Sequence, residues 1–106
     1  HIDLFWARLL PYLAEVPAGE SHACRVLVRN NLERPATYEA RLLPPDGWQA
    51  SSEFASVTLE PGERAGLELA ATAPPEPDRT RRLLTAEIRI DGESCGELVE
   101  SLVTVS

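Results

Sequence analysis

The residues able to do chemistry are few, and they form no recognisable catalytic pattern. The two histidines are His1 and His22, and neither is accompanied by the serine, cysteine and acid arrangement that a triad requires. Candidate nucleophiles occur in Ser51-Ser52-Glu53 and Ser94-Cys95, which read as loop segments without an activating base nearby. The sequence has no glycine-rich phosphate loop and no His-Glu-x-x-His helix. We therefore predict that the chain is not an enzyme and has no catalytic residues.

Metal and cofactor chemistry has equally little support. Asp46, Asp91 and Glu93 could supply oxygen ligands to Ca²⁺, but the dense acidic spacing of a calcium loop is missing. Cys24 and Cys95 have no second cysteine or histidine at the spacing of a zinc site. We expect no metal ion and no cofactor.

Length and charge limit the class of protein. The chain has 106 residues and 43% hydrophobic content, which suits a single domain over residues 1–106. Its ten basic residues, all arginine, are outnumbered by seventeen acidic ones, and the net charge is -7. Because the cationic side chains are scattered, we expect no nucleic-acid partner. No apolar run is long enough for membrane insertion. Since the first residue is histidine, we interpret the chain as part of a longer protein.

Alternation of apolar and polar residues predicts a fold built from strands. Six windows show the two-residue period of half-buried antiparallel strands. These windows cover residues 22–30, 36–43, 55–59, 67–69, 84–90 and 98–105. Turn signals separate them, including Pro44-Pro45-Asp46-Gly47-Trp48, Leu59-Glu60-Pro61-Gly62-Glu63 and Asp91-Gly92-Glu93.

The N-terminal segment supplies a further element, for which two structures are open. Trp6 to Leu13 suits an edge strand interrupted at Pro11, since sheets accept proline only at an edge or a kink. Asp3 followed by an apolar run also suits a short capped helix. We favour the strand. The chain is then predicted to be an all-β, immunoglobulin-like β-sandwich of about seven antiparallel strands.

The order of turn and packing residues resembles a known family. The sequence carries, in succession, Pro17-x-Gly19-Glu20, Val26-x-Val28-x-Asn30, Pro45-x-Gly47-Trp48, Leu59-x-Pro61-Gly62-Glu63 and Pro74. This order is similar to the bacterial immunoglobulin-like domains known as NEW3 and to the related fibronectin type III-like accessory domains. The resemblance covers nearly the whole chain. It implies structural roles for Asn30 and Gly47-Trp48, and a non-catalytic domain that accompanies enzymes or surface and membrane proteins.

One segment departs from the family pattern. Such domains often have a glycine and an aromatic residue leading into the sixth strand, where this chain has Asp78-Arg79-Thr80-Arg81-Arg82.

The two cysteines are predicted to be free thiols. In this topology the second and sixth strands run in the same direction, with Cys24 early in the second strand and Cys95 in the turn after the sixth. Strands rise about 3.3 Å per residue, which places the two roughly 20 Å apart. A disulfide spans at most about 7 Å between Cα atoms.

The aromatic residues indicate where a partner could bind. Tyr38 and Trp48 are expected in the core, with Trp48 as a plug at one end of the sandwich. The N-terminal segment is apolar on both faces, so one face is predicted to rest against a neighbouring domain or a second copy of the chain. The candidate interaction surface consists of Leu4, Phe5, Trp6, Leu9, Leu10 and Tyr12.

The sequence thus predicts a non-catalytic structural or accessory domain that packs beside a larger parent protein, for example a hydrolase. The alternative is a carbohydrate-binding module, which requires a row of exposed, coplanar aromatic side chains. The exposure of Trp6 and Trp48 separates these two hypotheses.

Overall fold

The computed structural model describes the backbone of residues 5–106 and the side chains of these residues except 5, 6 and 96–98. Nine strands form within this part of the chain. In order they are β1 Phe5–Leu10, β2 Leu13–Val16, β3 Ser21–Asn30, β4 Ala36–Leu43, β5 Gln49–Ala50, β6 Ala55–Leu59, β7 Arg64–Thr72, β8 Asp78–Ile90 and β9 Glu93–Val105. The same residues include no helix of a length and hydropathy that could cross a membrane.

The strands form two sheets that pack face to face. One sheet has the order β1-β3-β7-β5 and the other the order β2-β9-β8-β4-β6. This arrangement confirms the predicted all-β, immunoglobulin-like sandwich. Two details differ from the prediction. The N-terminal segment contributes two strands and the short β5 adds another, and β2 runs parallel to β9 whereas the other pairs are antiparallel.

Alternation along each strand sends one face into a common core. In β3, Cys24, Val26 and Val28 are buried, while Arg25 and Arg29 on the opposite face of the strand are exposed. The strands β4, β8 and β9 repeat this pattern from the opposite sheet, and the two sets of inward residues form one cluster. The apolar core residues that these three strands contribute are Ala36, Tyr38, Ala40, Leu42, Leu84, Ala86, Ile88, Val99, Val103 and Val105.

The N-terminal segment changes sheets at Pro11. Before this residue β1 pairs with β3, from Phe5 opposite Asn30 to Leu10 opposite Arg25. After it β2 pairs with the last residues of β9 in the other sheet. Proline suits this corner because it has no N–H to donate to either ladder. The strand prediction is therefore confirmed over the helix for the described residues.

Asn30 ties together the end of the sandwich at which β3 finishes. Its Nδ2 donates to the backbone oxygens of Arg34 at 2.9 Å and Leu59 at 3.0 Å. Its Oδ1 accepts from the Leu32 N–H at 2.9 Å and from the Tyr38 hydroxyl at 2.8 Å. The side chain is fully buried, and both donors and both acceptor positions of its amide are used. One residue thus links β3, the loop after it, β4 and β6.

Trp48 fills the opposite end, as predicted for a plug. Its side chain is buried in the core cluster. The preceding Gly47 has a φ of 86°, a left-handed conformation that suits glycine. Pro74 packs beside this turn, and its carbonyl accepts a hydrogen bond from the Gly19 N–H at 2.8 Å.

Candidate interaction surface

Neither thiol is activated, although Cys24 and His22 are two residues apart on the same face of β3. Cys24 is buried, and desolvation followed by the charge of Glu68 raises the pKa of its thiol to about 11. Burial also raises the pKa of Cys95, which lies within β9 and not in the preceding turn, because β8 and β9 pair up to Ile90 and Glu93. Both thiols are free. Burial lowers the pKa of His22. Thiols whose pKa is raised are poor nucleophiles.

The three acidic loop residues do not converge on one site. Asp91 accepts hydrogen bonds from the Thr37 N–H at 2.9 Å and from Arg34 Nη1 at 2.6 Å, and these contacts lower its pKa. Glu93 begins β9 close by, but Asp46 follows the far end of β4. Among the described residues no group of three His, Cys, Asp or Glu side chains could hold a metal ion.

The described members of the predicted interaction segment, Leu9, Leu10 and Tyr12, do not form one continuous face. The first three members of the segment are not described at the level of side chains: Leu4, Phe5 and Trp6. Leu9 was predicted to lie on the interaction surface but is 1% exposed, because the alternation along β1 turns its side chain into the core. Leu10 is half-buried, and Tyr12 is 66% exposed at the corner between the sheets. Tyr12 is thus the described residue of the set that is most available to a partner.

A row of leucines lies on the outer face of the second sheet, beside Tyr12. Leu13 in β2 is opposite Leu102 in β9, which is in turn opposite Leu83 in β8. Leu13 and Leu83 are 54% and 52% exposed, and Leu102 is half-buried between them. We call these three residues the leucine row. The carbonyl of Tyr12 accepts a hydrogen bond from the Leu102 N–H at 2.8 Å, which fixes the tyrosine backbone next to the row.

Sequence reasoning missed the leucine row. Leu84 and Val103 occupy the inward positions, so Leu83 and Leu102 are the apolar residues on the solvent side of their strands. An apolar residue at a position where the alternation requires a polar one was the available signal. This signal alone does not predict a row of leucines, because the alignment of neighbouring strands has to be known. Leu13 joins the row only because β2 pairs with β9.

A groove lies beside the predicted segment. It has a volume of about 410 Å³ and lies between β1 and β9, where the N-terminal segment leaves the first sheet. Leu9 and Val99 belong to its lining, and Leu10 and Tyr12 form part of its rim. Tyr12 therefore borders both the groove and the leucine row.

The described aromatic side chains form no platform for a sugar. Tyr38 and Trp48 are buried. The ring of Phe54 is covered by the guanidinium groups of Arg89 and Arg41, at 4.2 Å and 4.8 Å from its centroid. Within the described part of the chain, Tyr12 alone among the aromatics is widely exposed.

Comparison with known proteins gives no family and no curated relative. No protein-family model matches the chain, and no curated protein matches it. Similar structures have nevertheless been solved. The native conformation of alpha-2-macroglobulin from E. coli matches 99% of this chain with a TM-score of 0.68 and 18% sequence identity. The chain spans about 7% of the length of that protein.

Two smaller proteins are also similar in structure. The FixG-related protein from Vibrio parahaemolyticus matches 99% of this chain and 99% of its own, with a TM-score of 0.63 and 13% identity. The CARDB domain of a Pyrococcus furiosus protein, solved in complex with di-metal ions, matches 96% of this chain and 87% of its own, with a TM-score of 0.60 and 13% identity. At these identities the similarity shows the fold alone. It is an immunoglobulin-like sandwich of a kind that also occurs within larger proteins.

Proposed function

We propose that this chain is a non-catalytic accessory domain that packs against a neighbouring domain of a larger protein through the leucine row and Tyr12. The observation that carries the proposal is the leucine row itself, because side chains of this type are usually turned inward or scattered singly. The raised thiol pKa values and the separated acidic residues agree with a domain that performs no reaction.

The chain is further proposed to belong with the NEW3 and fibronectin type III-like accessory domains. The support is the ordered set of turn residues together with two structural positions that the resemblance implies. Asn30 is the fully hydrogen-bonded side chain at one end, and Gly47-Trp48 is the turn and plug at the other.

The leucine row offers a useful amount of binding energy. Full burial of one leucine side chain is worth about 1.5–3 kcal/mol relative to exposure. Leu13 and Leu83 are each about half exposed, so covering both buries roughly as much surface as burying one whole leucine side chain, and stabilises the contact by a similar free energy. Because the three residues stand on paired strands, little backbone ordering opposes this gain.

The test is a double variant, Leu13→Gln/Leu83→Gln, in the longer protein that carries the domain. Both side chains already face solvent by more than half, so the domain should stay folded. We expect small-angle X-ray scattering to show a more extended particle for the variant than for the wild type. The matched control is Leu32→Gln, a half-buried leucine in the loop after β3, which should leave the particle unchanged.

Unchanged dimensions in the double variant would contradict the proposal. Sedimentation of the 106-residue chain provides the second arm. If the chain is a monomer, the result agrees with a neighbouring domain as the partner of the leucine row. If the chain is a dimer and the Leu13→Gln/Leu83→Gln variant is a monomer, the partner is a second copy of the chain and not a neighbouring domain.

A further inference from the structure

The outer face of the first sheet is cationic, although the chain as a whole is strongly acidic. Arg8 on β1, Arg25 and Arg29 on β3, and Arg64 on β7 are all exposed and alternate with inward residues of their strands. Glu68 is the acidic residue that the described strands place among them. Four of the ten arginines therefore share one face, which leaves the rest of the surface markedly negative.

Two of these arginines form a like-charge pair across the sheet. Arg29 and Arg64 are direct partners in the antiparallel pairing of β3 with β7. Residues opposite each other in such a pair have Cα atoms about 4.5–5.5 Å apart, and like charges there destabilise the sheet. Within the described residues neither guanidinium has a hydrogen bond or an ion pair.

On the same face, one other arginine has an acidic partner within the domain. Arg25 lies four residues before Arg29 on β3, and its cross-strand partner is Glu68, with Nε 2.7 Å from Oε1. Its aliphatic stem passes over Gly66, where a Cβ would come within 2.6 Å of the arginine Cδ. Gly66 therefore leaves room for the Arg25 side chain to lie across β7 towards Glu68.

We propose that the outer face of β3 and β7 is a second docking surface, which binds an acidic protein segment through carboxylates placed between Arg29 and Arg64. A carboxylate between two guanidinium groups supplies the charge that the sheet lacks, and arginine binds carboxylates with two parallel hydrogen bonds. Arg29 and Arg64 are both exposed, so an extended segment can reach the two guanidinium groups from solvent.

The size of the patch favours a protein carboxylate over a nucleic acid. Duplex DNA carries one charge per about 1.7 Å of its axis, so its phosphates would extend beyond this patch onto an acidic surface. One or two side-chain carboxylates match a single arginine pair. The inference goes beyond the accessory-domain proposal, because this face lies on the sheet opposite the leucine row and would allow the domain to join two partners.

The test uses the 106-residue chain and a fluorescein-labelled oligoglutamate peptide as the probe, with binding followed by fluorescence anisotropy at low salt. We expect the wild type to bind and Arg29→Gln/Arg64→Gln to weaken binding on the order of tenfold or more, as for hydrogen bonds to charged groups. The control is Arg79→Gln/Arg81→Gln, which removes the same charge from exposed positions of β8 in the other sheet and should weaken binding far less. Both variants should melt no lower than the wild type.

Three outcomes would overturn the inference. They are no binding by the wild type, equal weakening in the two double variants, and tighter binding of a single-stranded oligonucleotide of equal charge than of the peptide. None of these variants touches the leucine row, so failure here leaves the test of the accessory-domain proposal independent.

Discussion

Replacing Asn30 with alanine should destabilise the domain more than any other change to a polar side chain described here. The amide makes four hydrogen bonds, and two of them, to the Leu59 carbonyl and from the Tyr38 hydroxyl, are buried. The other two, to the Arg34 carbonyl and from the Leu32 N–H, are part-buried. Alanine cannot replace any of them.

The expected magnitude follows from these four contacts. A buried polar group that loses its partner costs about 1–3 kcal/mol, and part-buried groups cost less because water can reach them. We therefore expect Asn30→Ala to lower the free energy of unfolding by about 3–5 kcal/mol. Domains of this size are stable by about 5–15 kcal/mol, so the variant should fold but unfold at much lower denaturant concentration.

Urea unfolding followed by tryptophan fluorescence is a suitable assay, since Trp48 is buried in the core. Tyr38→Phe is the graded control, because it removes one of the four bonds and should cost about 1 kcal/mol. The adjacent Asn31 is exposed, and Asn31→Ala should change stability by less than about 0.5 kcal/mol. A loss below 1 kcal/mol in Asn30→Ala would refute the argument that this amide holds the end of the sandwich together.

Three further predictions follow from burial and hydrogen bonding. Cys24 should react with a thiol reagent at neutral pH far more slowly than Cys95, because a pKa of about 11 lowers its thiolate fraction and the core shields it; equal rates by mass spectrometry would contradict this. Trp48→Ala should cost about 3–5 kcal/mol in urea unfolding, because it leaves a cavity at the end of the core. Hydrogen bonds from the Thr37 N–H and the Arg34 guanidinium lower the pKa of Asp91 in the folded state. The ionised carboxylate therefore stabilises the fold at pH values above the unfolded pKa of about 3.9, and this stabilisation is lost as the pH falls below that value. Asp91→Asn should accordingly differ from the wild type less at low pH than at neutral pH, as measured by thermal melts.

Much of the fold could be predicted from side-chain alternation. Ala36–Leu43 and Ala55–Leu59 are strands with the predicted bounds, because in each of them inward and outward residues differ clearly in polarity. The start of β8 could not be found in this way. All five residues from Asp78 to Arg82 are polar, and the strand conformation of this segment depends on pairing with the end of β9.

The candidate surface was harder to predict, because it depends on how strands lie beside one another. Leu9 is apolar like its neighbours, and only the register of β1 with β3 shows that it faces the core. The leucine row combines residues from three strands that are far apart in the sequence. The Arg29–Arg64 pair arises in the same way from β3 and β7. The pattern of apolar and polar residues along one strand does not show which residues of the neighbouring strands lie beside it.

The most direct test of the central claim is hydroxyl-radical footprinting of Tyr12 and the leucine row, in the 106-residue chain and in the longer protein of which we propose it is a domain. Tyr12, Leu13 and Leu83 are more than half exposed in the domain and should be labelled readily there. If the domain packs through this surface, their labelling should fall several-fold in the longer protein, while that of Leu32 in the loop after β3 should change little. Equal labelling of Tyr12, Leu13 and Leu83 in the two samples would contradict the account.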